Sequence, residues 1–360
     1  MHVATPSLRH HSLRLGDFDF EYPAGLTAQY PAEPRESARL MVVDRAAGTV
    51  EHRTVADLPG CFGPGDVLVV NDTMVFPARL HGEKEKTGAR VEAFLLRELN
   101  AEHRLWDAVV DPARKVRVGN RIDFADGLAA EVIDNTTSRG RTLRFIFDGT
   151  PDELYALIDR VGETPIPPYL RRPTEPADRI RYQSLFARER GAVVAPDGGL
   201  HFTPDLVRAL ARRGAEVATV TLHTGLGSFE PVEVEDLSKH RMDSERYVVP
   251  HDTAACVNKA LTSRTATVTA CGTTVVRAIE STLTADRHLK AGGGWTDKFF
   301  YPPHDFSVTG RLLTNFHRPR STLLMTVAAF AGMELTRHAY EEAVRHEYRL
   351  FSFGDAMLVV

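Results

Sequence analysis

Downstream of Gly149 a β-branched run ends three times in a small polar turn, and after two of these turns an amphipathic helix is clear. No other feature constrains the fold as strongly, because strands alternating with helices pack as a largely parallel sheet covered by helices. The first corner passes from Ala192-Val193-Val194 through Ala195-Pro196-Asp197-Gly198-Gly199-Leu200-His201-Phe202. Thr203 is then a good N-cap, Pro204 suits the first helical position and Asp205 favours the positive end of the helix dipole. Leu206 and Leu210 face inward, and Gly214 ends the helix. The second corner leads from the run 266–271 into Gly272-Thr273-Thr274 and a helix through Glu280. The third leads from Arg311-Leu312-Leu313-Thr314-Asn315 through Phe316-His317-Arg318-Pro319-Arg320, with Ser321 or Thr322 capping a helix that ends at Gly332. A fourth strand, 216–222, runs into His223-Thr224-Gly225-Leu226-Gly227. Ligands of such sheets bind beyond the carboxyl ends of the strands. His201, His223, Thr273, Thr274 and His317 are therefore candidates to face one crevice.

Upstream the texture differs. Between Asp66 and Asp148 the chain is a series of short β-rich runs, 67–70, 91–96, 106–110, 130–133 and 143–147, punctuated by glycine, proline and aspartate. That pattern predicts a compact antiparallel barrel or sandwich. The expected organisation is an α/β domain made of residues 1–65 and 150–360, with a β-barrel domain of residues 66–149 inserted in it. A length of 360 residues is ample for both.

Charge and cysteine usage narrow the function. A net charge of −4 requires that any polyanion be met by a local patch. The best candidate is Arg171 to Arg190, where six arginines stand against three acids and Tyr169 and Tyr182 supply stacking rings; Tyr169, Arg171, Arg172 and Tyr182 are the RNA-binding candidates. The opening residues have no apolar stretch long enough for a signal peptide. No apolar run is long enough to span a bilayer. Three cysteines without a CxxC pair fit free thiols in a reducing cytoplasm, the expected location. Metal spacing fails every compact template, and no P-loop, GxGxxG or GxSxG occurs. His338 and His346 with Glu341 and Glu342 read as the solvated face of a late helix. Two further classes are weighed: a zinc hydrolase built on three scattered histidines, and a non-catalytic RNA-binding module.

Taken together the motifs resemble a known family. GLHFT (199–203), HTGLGSFEPV (223–232), MDSE (242–245), GTTVVRAIES (272–281), TNFHRPRSTLLM (314–325) and FSFGDAML (351–358) are similar to the S-adenosylmethionine:tRNA ribosyltransferase-isomerases of queuosine biosynthesis. Earlier segments agree: AQYPAEPRESARLMVVDR (28–45), VVNDTMVFPARLHG (69–82), DAVVDPARKVRVGNRI (107–122), PIPPYLRRP (165–173) and RYQSLFA (181–187). The resemblance implies an α/β fold with an inserted barrel and a reaction without metal or cofactor. S-adenosylmethionine is the co-substrate and donates its ribosyl carbons to the aminomethyl group of 7-aminomethyl-7-deazaguanine at the tRNA wobble position. The products are epoxyqueuosine in tRNA, adenine and methionine. It also implies His201, His223 and His317 as catalytic residues. Thr203, Thr273, Thr274, Asn315, Ser321 and Glu245 are then expected at the substrate, with Arg277 or Arg79 holding a carboxylate or phosphate. The chain departs from the usual family pattern at Asp197-Gly198 (Thr-Ala), Asp243 (His), Met74 (Arg) and Arg318 (Leu). These departures bear on the acceptor more than on the fold, and the second reading is a paralogue acting on a small deazapurine or other amine.

Overall fold

The computed structural model describes residues 13–228 and 232–360. The first twelve residues, and positions 229–231 within the HTGLGSFEPV motif, lie outside the described residues. Among the described residues the main sheet has nine strands. Their order is Gly292–Thr296, Glu245–Val249, Glu216–Leu222, Val67–Asn71, Val268–Cys271, Arg311–Asn315, Ala356–Val359, Arg39–Asp44 and Thr49–Thr54. Four neighbouring pairs in its interior are parallel. Both edges and the junction of Arg311–Asn315 with Ala356–Val359 are antiparallel. The sheet is thus mixed, not largely parallel as the alternation predicts, because strands from the chain's two ends join it and antiparallel strands complete both edges.

Helices cover both faces, which explains the uninterrupted apolar run of the central strand. Val67 and Val69 pack on one side with helices His251–Thr262, Thr273–Ser281 and Thr322–Ala331, whereas Leu68 and Val70 pack on the other with helix Pro204–Arg212. The two capped helices start where their sequence says: the Thr203 side chain accepts the Leu206 N–H at 3.3 Å, and Ser321 accepts that of Leu324 at 3.2 Å.

Six strands between Arg79 and Ile146 close into an antiparallel barrel, ordered Gly140–Ile146, Leu105–Asp111, Arg90–Asn100, Arg79–Lys84, Arg121–Phe124 and Ala129–Asn135. The fold is therefore α/β with an inserted antiparallel barrel. One expected boundary shifts. The run 67–70, read as the first barrel strand, is the centre of the nine-stranded sheet, and the barrel strands begin at Arg79. Helix Pro151–Val161 follows the barrel and plugs its core with Leu154, Leu157 and Ile158.

The first corner also differs from its expectation. Glu189–Ala192 pairs only with Thr73–Val75 in a small two-stranded sheet, and Val193 and Val194 are buried in the barrel-side core. Asp197–His201 then forms a 3-10 turn before helix Pro204–Arg212. That turn belongs to a connection between barrel and sheet, not to the end of a main-sheet strand.

Candidate active site

A pocket opens beyond the carboxyl ends of strands Val268–Cys271 and Arg311–Asn315, the position expected for a ligand in such a sheet. It spans about 720 Å³ including its open mouth. Five chain segments wall it: Val194–Gly198, Thr224, Gly272–Thr274, Thr314–Leu323 and Phe351-Ser352, with Tyr169 on one side. Four of the five belong to motifs that the sequence singles out; the fifth, Val194–Gly198, is the approach to GLHFT.

The glycine at 198 has a steric reason. A Cβ there would lie 3.2 Å from the Gly272 nitrogen and 3.2 Å from Cys271 Sγ, a tight fit that the neighbours must relieve by a few tenths of an ångström, so glycine gives the closest approach of the turn to the start of helix Thr273–Ser281. Asp197 is thereby held against the pocket. Its Oδ2 accepts a hydrogen bond from the Ser352 hydroxyl at 2.9 Å. Ser352 has one proton to give, so the Tyr169 hydroxyl, 2.6 Å away, donates to Ser352 in turn. Asp197 Oδ1 is shielded from solvent and has no hydrogen-bond partner. Burial raises this carboxyl to about 7, against the opposing pull of the Ser352 bond.

Of the three expected catalytic histidines, the structure brings only His317 to this pocket. Its Nε2 lies 2.8 Å from Thr314 Oγ1, its backbone N–H donates to the Tyr340 hydroxyl at 2.9 Å, and burial pushes the imidazole down to about 3. It is therefore neutral at physiological pH, able to accept or deliver a proton without carrying charge in the ground state. His201 sits one layer behind, with Nε2 3.0 Å from Asn315 Oδ1, while the Asn315 amide donates to the Phe351 and Ser352 carbonyls. Both act as supports of the wall, and burial lowers the His201 pKa. His223 turns away, with Nδ1 2.8 Å from Thr73 Oγ1 and its ring packed on Gly191, where a Cβ would come within 2.6 Å of Nδ1. Burial lowers its pKa too. Thr224, the next residue, faces the pocket instead.

Thr273, Thr274 and Ser321 line the pocket as expected. Thr203 is a helix cap away from it. Arg277 and Glu245 are spent on each other: their buried side chains form an ion pair, and the remaining guanidinium nitrogens donate to the Thr296 and Lys298 carbonyls. Neither is presented to a substrate. Arg79 stands on the barrel, paired with Glu92 at 2.8 Å and stacked on Phe94.

The expected RNA patch is corrected in the same way. Tyr182 is fully buried and packs edge-on against Phe353. Arg172 holds Asp178 with two bonds, 2.7 and 2.8 Å, and stacks on Tyr30. The neighbouring arginines tie this connection down: Arg179 donates to the Gly162 carbonyl and Arg181 to Glu175. Tyr169 faces the pocket, and Arg171 remains exposed. Sequence counts positive charge but not the partners that consume it.

The three histidines do not gather as metal ligands. Among the described residues the one cluster with metal-ligand reach is His52, Glu342 and His346, on the surface, where Glu342 already pairs with Arg345. The His317 and His201 roles are separable by experiment. His317→Ala should lower kcat by roughly a hundredfold or more with little loss of stability. His201→Ala should instead cost about 1–3 kcal/mol in denaturant unfolding, because Asn315 Oδ1 loses its buried partner. Equal kcat losses with unchanged stability in both variants would refute the assignment.

The architecture defines the class first: a mixed α/β sheet protein with an inserted six-stranded barrel and a ligand pocket at the strand ends. Residues 15–359 match the family model described as queuosine biosynthesis protein, and the chain belongs to that family. It is 54% identical to the S-adenosylmethionine:tRNA ribosyltransferase-isomerase of Flavobacterium psychrophilum, over 97% of this chain and 100% of that protein. The protein of the same name from Chloroherpeton thalassium is 52% identical over 96% of this chain and 100% of its own. The crystal structure of the S-adenosylmethionine tRNA ribosyltransferase from Thermotoga maritima shares 34% identity, covers 96% of this chain and 100% of that one, and superposes with a TM-score of 0.53.

Proposed function

We propose that this chain is an S-adenosylmethionine:tRNA ribosyltransferase-isomerase, a transferase of queuosine biosynthesis. The observation that carries the reading is family membership over nearly the whole chain, together with the meeting of the GTT, TNFHRPRST, HTG and FSF segments around one pocket. The co-substrate is S-adenosylmethionine, and the acceptor is the aminomethyl group of 7-aminomethyl-7-deazaguanine in tRNA. No helix among the described residues is long and apolar enough to cross a membrane. The cytoplasm, where tRNA is modified, is its proposed place.

The chemistry suits the pocket's neutral groups. Positive sulfur acidifies the adjacent ribose carbon, so a positioned base removes a proton there, and adenine leaves as its ring nitrogen is protonated. The acceptor amine then attacks the opened sugar, and closure of the epoxide breaks the ribosyl carbon–sulfur bond and expels methionine with its sulfur. We assign such a transfer to His317, and its pocket position, neutral imidazole and hydrogen bond with Thr314 support the assignment. No side-chain nucleophile is required; Cys271 is buried, and burial raises its thiol pKa far from the reactive range.

The test is to incubate the protein with S-adenosylmethionine and tRNA carrying the aminomethyl base, digest the RNA and weigh its nucleosides. Expected are the ribosyl-derived mass gain in RNA and release of adenine and methionine in equal amounts. Gain on a free deazapurine but none on tRNA would replace this reading by the small-acceptor paralogue. Binding of tRNA without consumption of S-adenosylmethionine would replace it by an RNA-binding module.

A further inference from the structure

The two charged side chains of the pocket lining, Asp197 and Arg318, are not paired with each other. Asp197 is the one carboxylate among its lining residues, and no basic side chain among the described residues forms an ion pair with it. The groups that face it are the Ser352 hydroxyl and the Tyr169 and Tyr182 phenols; burial raises both phenols, and the Asp197 charge raises them further. His317, on the pocket wall, is neutral, and Arg318 lies over the Tyr169 ring at 5.3 Å. Nothing inside the protein neutralises Asp197 Oδ1. A desolvated carboxylate without a cation is costly, and it is retained where a ligand supplies the positive charge.

The adjoining wall complements it. Helix Thr273–Ser281 begins at the pocket. The Gly272 N–H donates to the Leu313 carbonyl and those of Val275 and Val276 to the Gly272 carbonyl, so the Thr273 and Thr274 N–H groups are the ones at its positive dipole end that a ligand can reach. The close approach of Gly198 to the Gly272 nitrogen sets this helix start directly against the Asp197 turn. One small volume therefore presents a carboxylate and, beside it, helix N–H groups able to donate to an anion. That pattern matches a zwitterion bearing excess positive charge.

We propose that Asp197 is the counter-ion for the cationic sulfonium and ammonium of S-adenosylmethionine's amino-acid end, whose carboxylate lies at the first turn of helix Thr273–Ser281. The proposal rests on the functional reading above. Two cations enter the reaction, and chemistry distinguishes them. The acceptor's ammonium must lose its proton before it attacks, and an ionised carboxylate would hold it protonated. The sulfonium and ammonium of the co-substrate keep their charge until methionine leaves, so a fixed negative partner does not oppose the reaction. Asp197 is thus a binding and positioning residue for the co-substrate.

Asp197→Asn removes the charge and keeps the shape and an acceptor for Ser352. Calorimetric titration at pH 8 compares S-adenosylmethionine, S-adenosylhomocysteine, which lacks the sulfonium, and 5′-methylthioadenosine, which lacks the whole amino-acid end. The variant should bind S-adenosylmethionine roughly thirtyfold or more weakly, S-adenosylhomocysteine less severely so, and 5′-methylthioadenosine within about twofold of the parent. Its KM for tRNA should also stay within about twofold. In the parent, S-adenosylmethionine affinity should rise from pH 6 to pH 8 as Asp197 ionises, and in the variant this rise should vanish. Equal weakening of all three ligands would reduce Asp197 to a packing residue and overturn the proposal. So would unchanged S-adenosylmethionine affinity with a raised KM for tRNA, which would assign the carboxylate to the acceptor. A parent protein that binds no S-adenosylmethionine would overturn the functional reading itself, whatever the variant does.

Discussion

Arg277→Ala should lose about 3–5 kcal/mol of stability at neutral pH, one of the two largest effects expected of a single substitution here. The guanidinium and the Glu245 carboxylate form an ion pair at 4% and 5% side-chain exposure, so neither has water to fall back on. Truncation leaves Glu245 with the Gly225 N–H, 2.8 Å away, as its remaining donor. It also frees the Thr296 and Lys298 carbonyls that the guanidinium holds, loosening the edge strands against helix Thr273–Ser281. Burial already raises the Glu245 pKa, with Arg277 opposing it. Without Arg277 that pKa rises further, and acidification then protonates Glu245 and removes the unpaired charge. The deficit should accordingly narrow as pH falls. Urea unfolding of both proteins at several pH values checks this; a loss below about 1 kcal/mol at pH 7, or one that widens on acidification, would show that the pair is not what anchors this edge. Because the pair is internal, kcat of the folded fraction should suffer far less than stability.

The sequence made the sheet-to-helix units legible because they depend on local signals. Thr203 with Pro204 and Ser321 with the run after it specify helix starts that need no tertiary information, and the structure has them there. Four of the six barrel strands also stood out by their apolar content. Arg79–Lys84 and Arg121–Phe124 did not, since each is short and polar on its outer face and contributes few buried side chains. Val67–Asn71 is the instructive case. Its position beside the barrel runs suggested barrel membership, yet an apolar run without alternation is the mark of a strand covered on both faces. That signal points to the centre of a helix-covered sheet, where it lies.

Site residues divided by a different rule. Thr273, Thr274, His317 and Ser321 reach the pocket because they follow strands that end beside it. His201 and Asn315 satisfy each other, as do Arg277 with Glu245 and Arg172 with Asp178. Residue type alone does not tell a polar group offered to a ligand from one consumed inside the fold; only long-range pairing decides it. Ser352 and Thr224 were carried inside motifs without being singled out. Asp197 was visible as a departure from the family pattern, but its meaning depends on the absence of an ion-pair partner for it among the described residues.

That absence carries the last prediction. Asp197 titrates near 7 in the fold and near 3.8 when solvated, so between those values the native state binds the extra proton. Stability therefore falls as pH rises through this window: the contribution is complete below about pH 4 and lost above about pH 7. At about 1.4 kcal/mol per pKa unit, the ionised carboxylate costs the ligand-free fold up to about 4 kcal/mol at pH 8. Asp197→Asn should match the parent near pH 4 and exceed it by an amount growing towards that limit at pH 8. Saturating S-adenosylmethionine should narrow the gap at pH 8 by about 2 kcal/mol, the equivalent of the parent's thirtyfold tighter binding. Thermal melts of both proteins from pH 4 to pH 8, with and without the ligand, read this directly. A variant that is less stable than the parent at pH 8 without ligand would mean that Asp197 is already neutralised inside the protein. A group that destabilises the empty pocket and whose deficit the ligand offsets is held there by its ligand, and the melts distinguish that from a group retained for the fold.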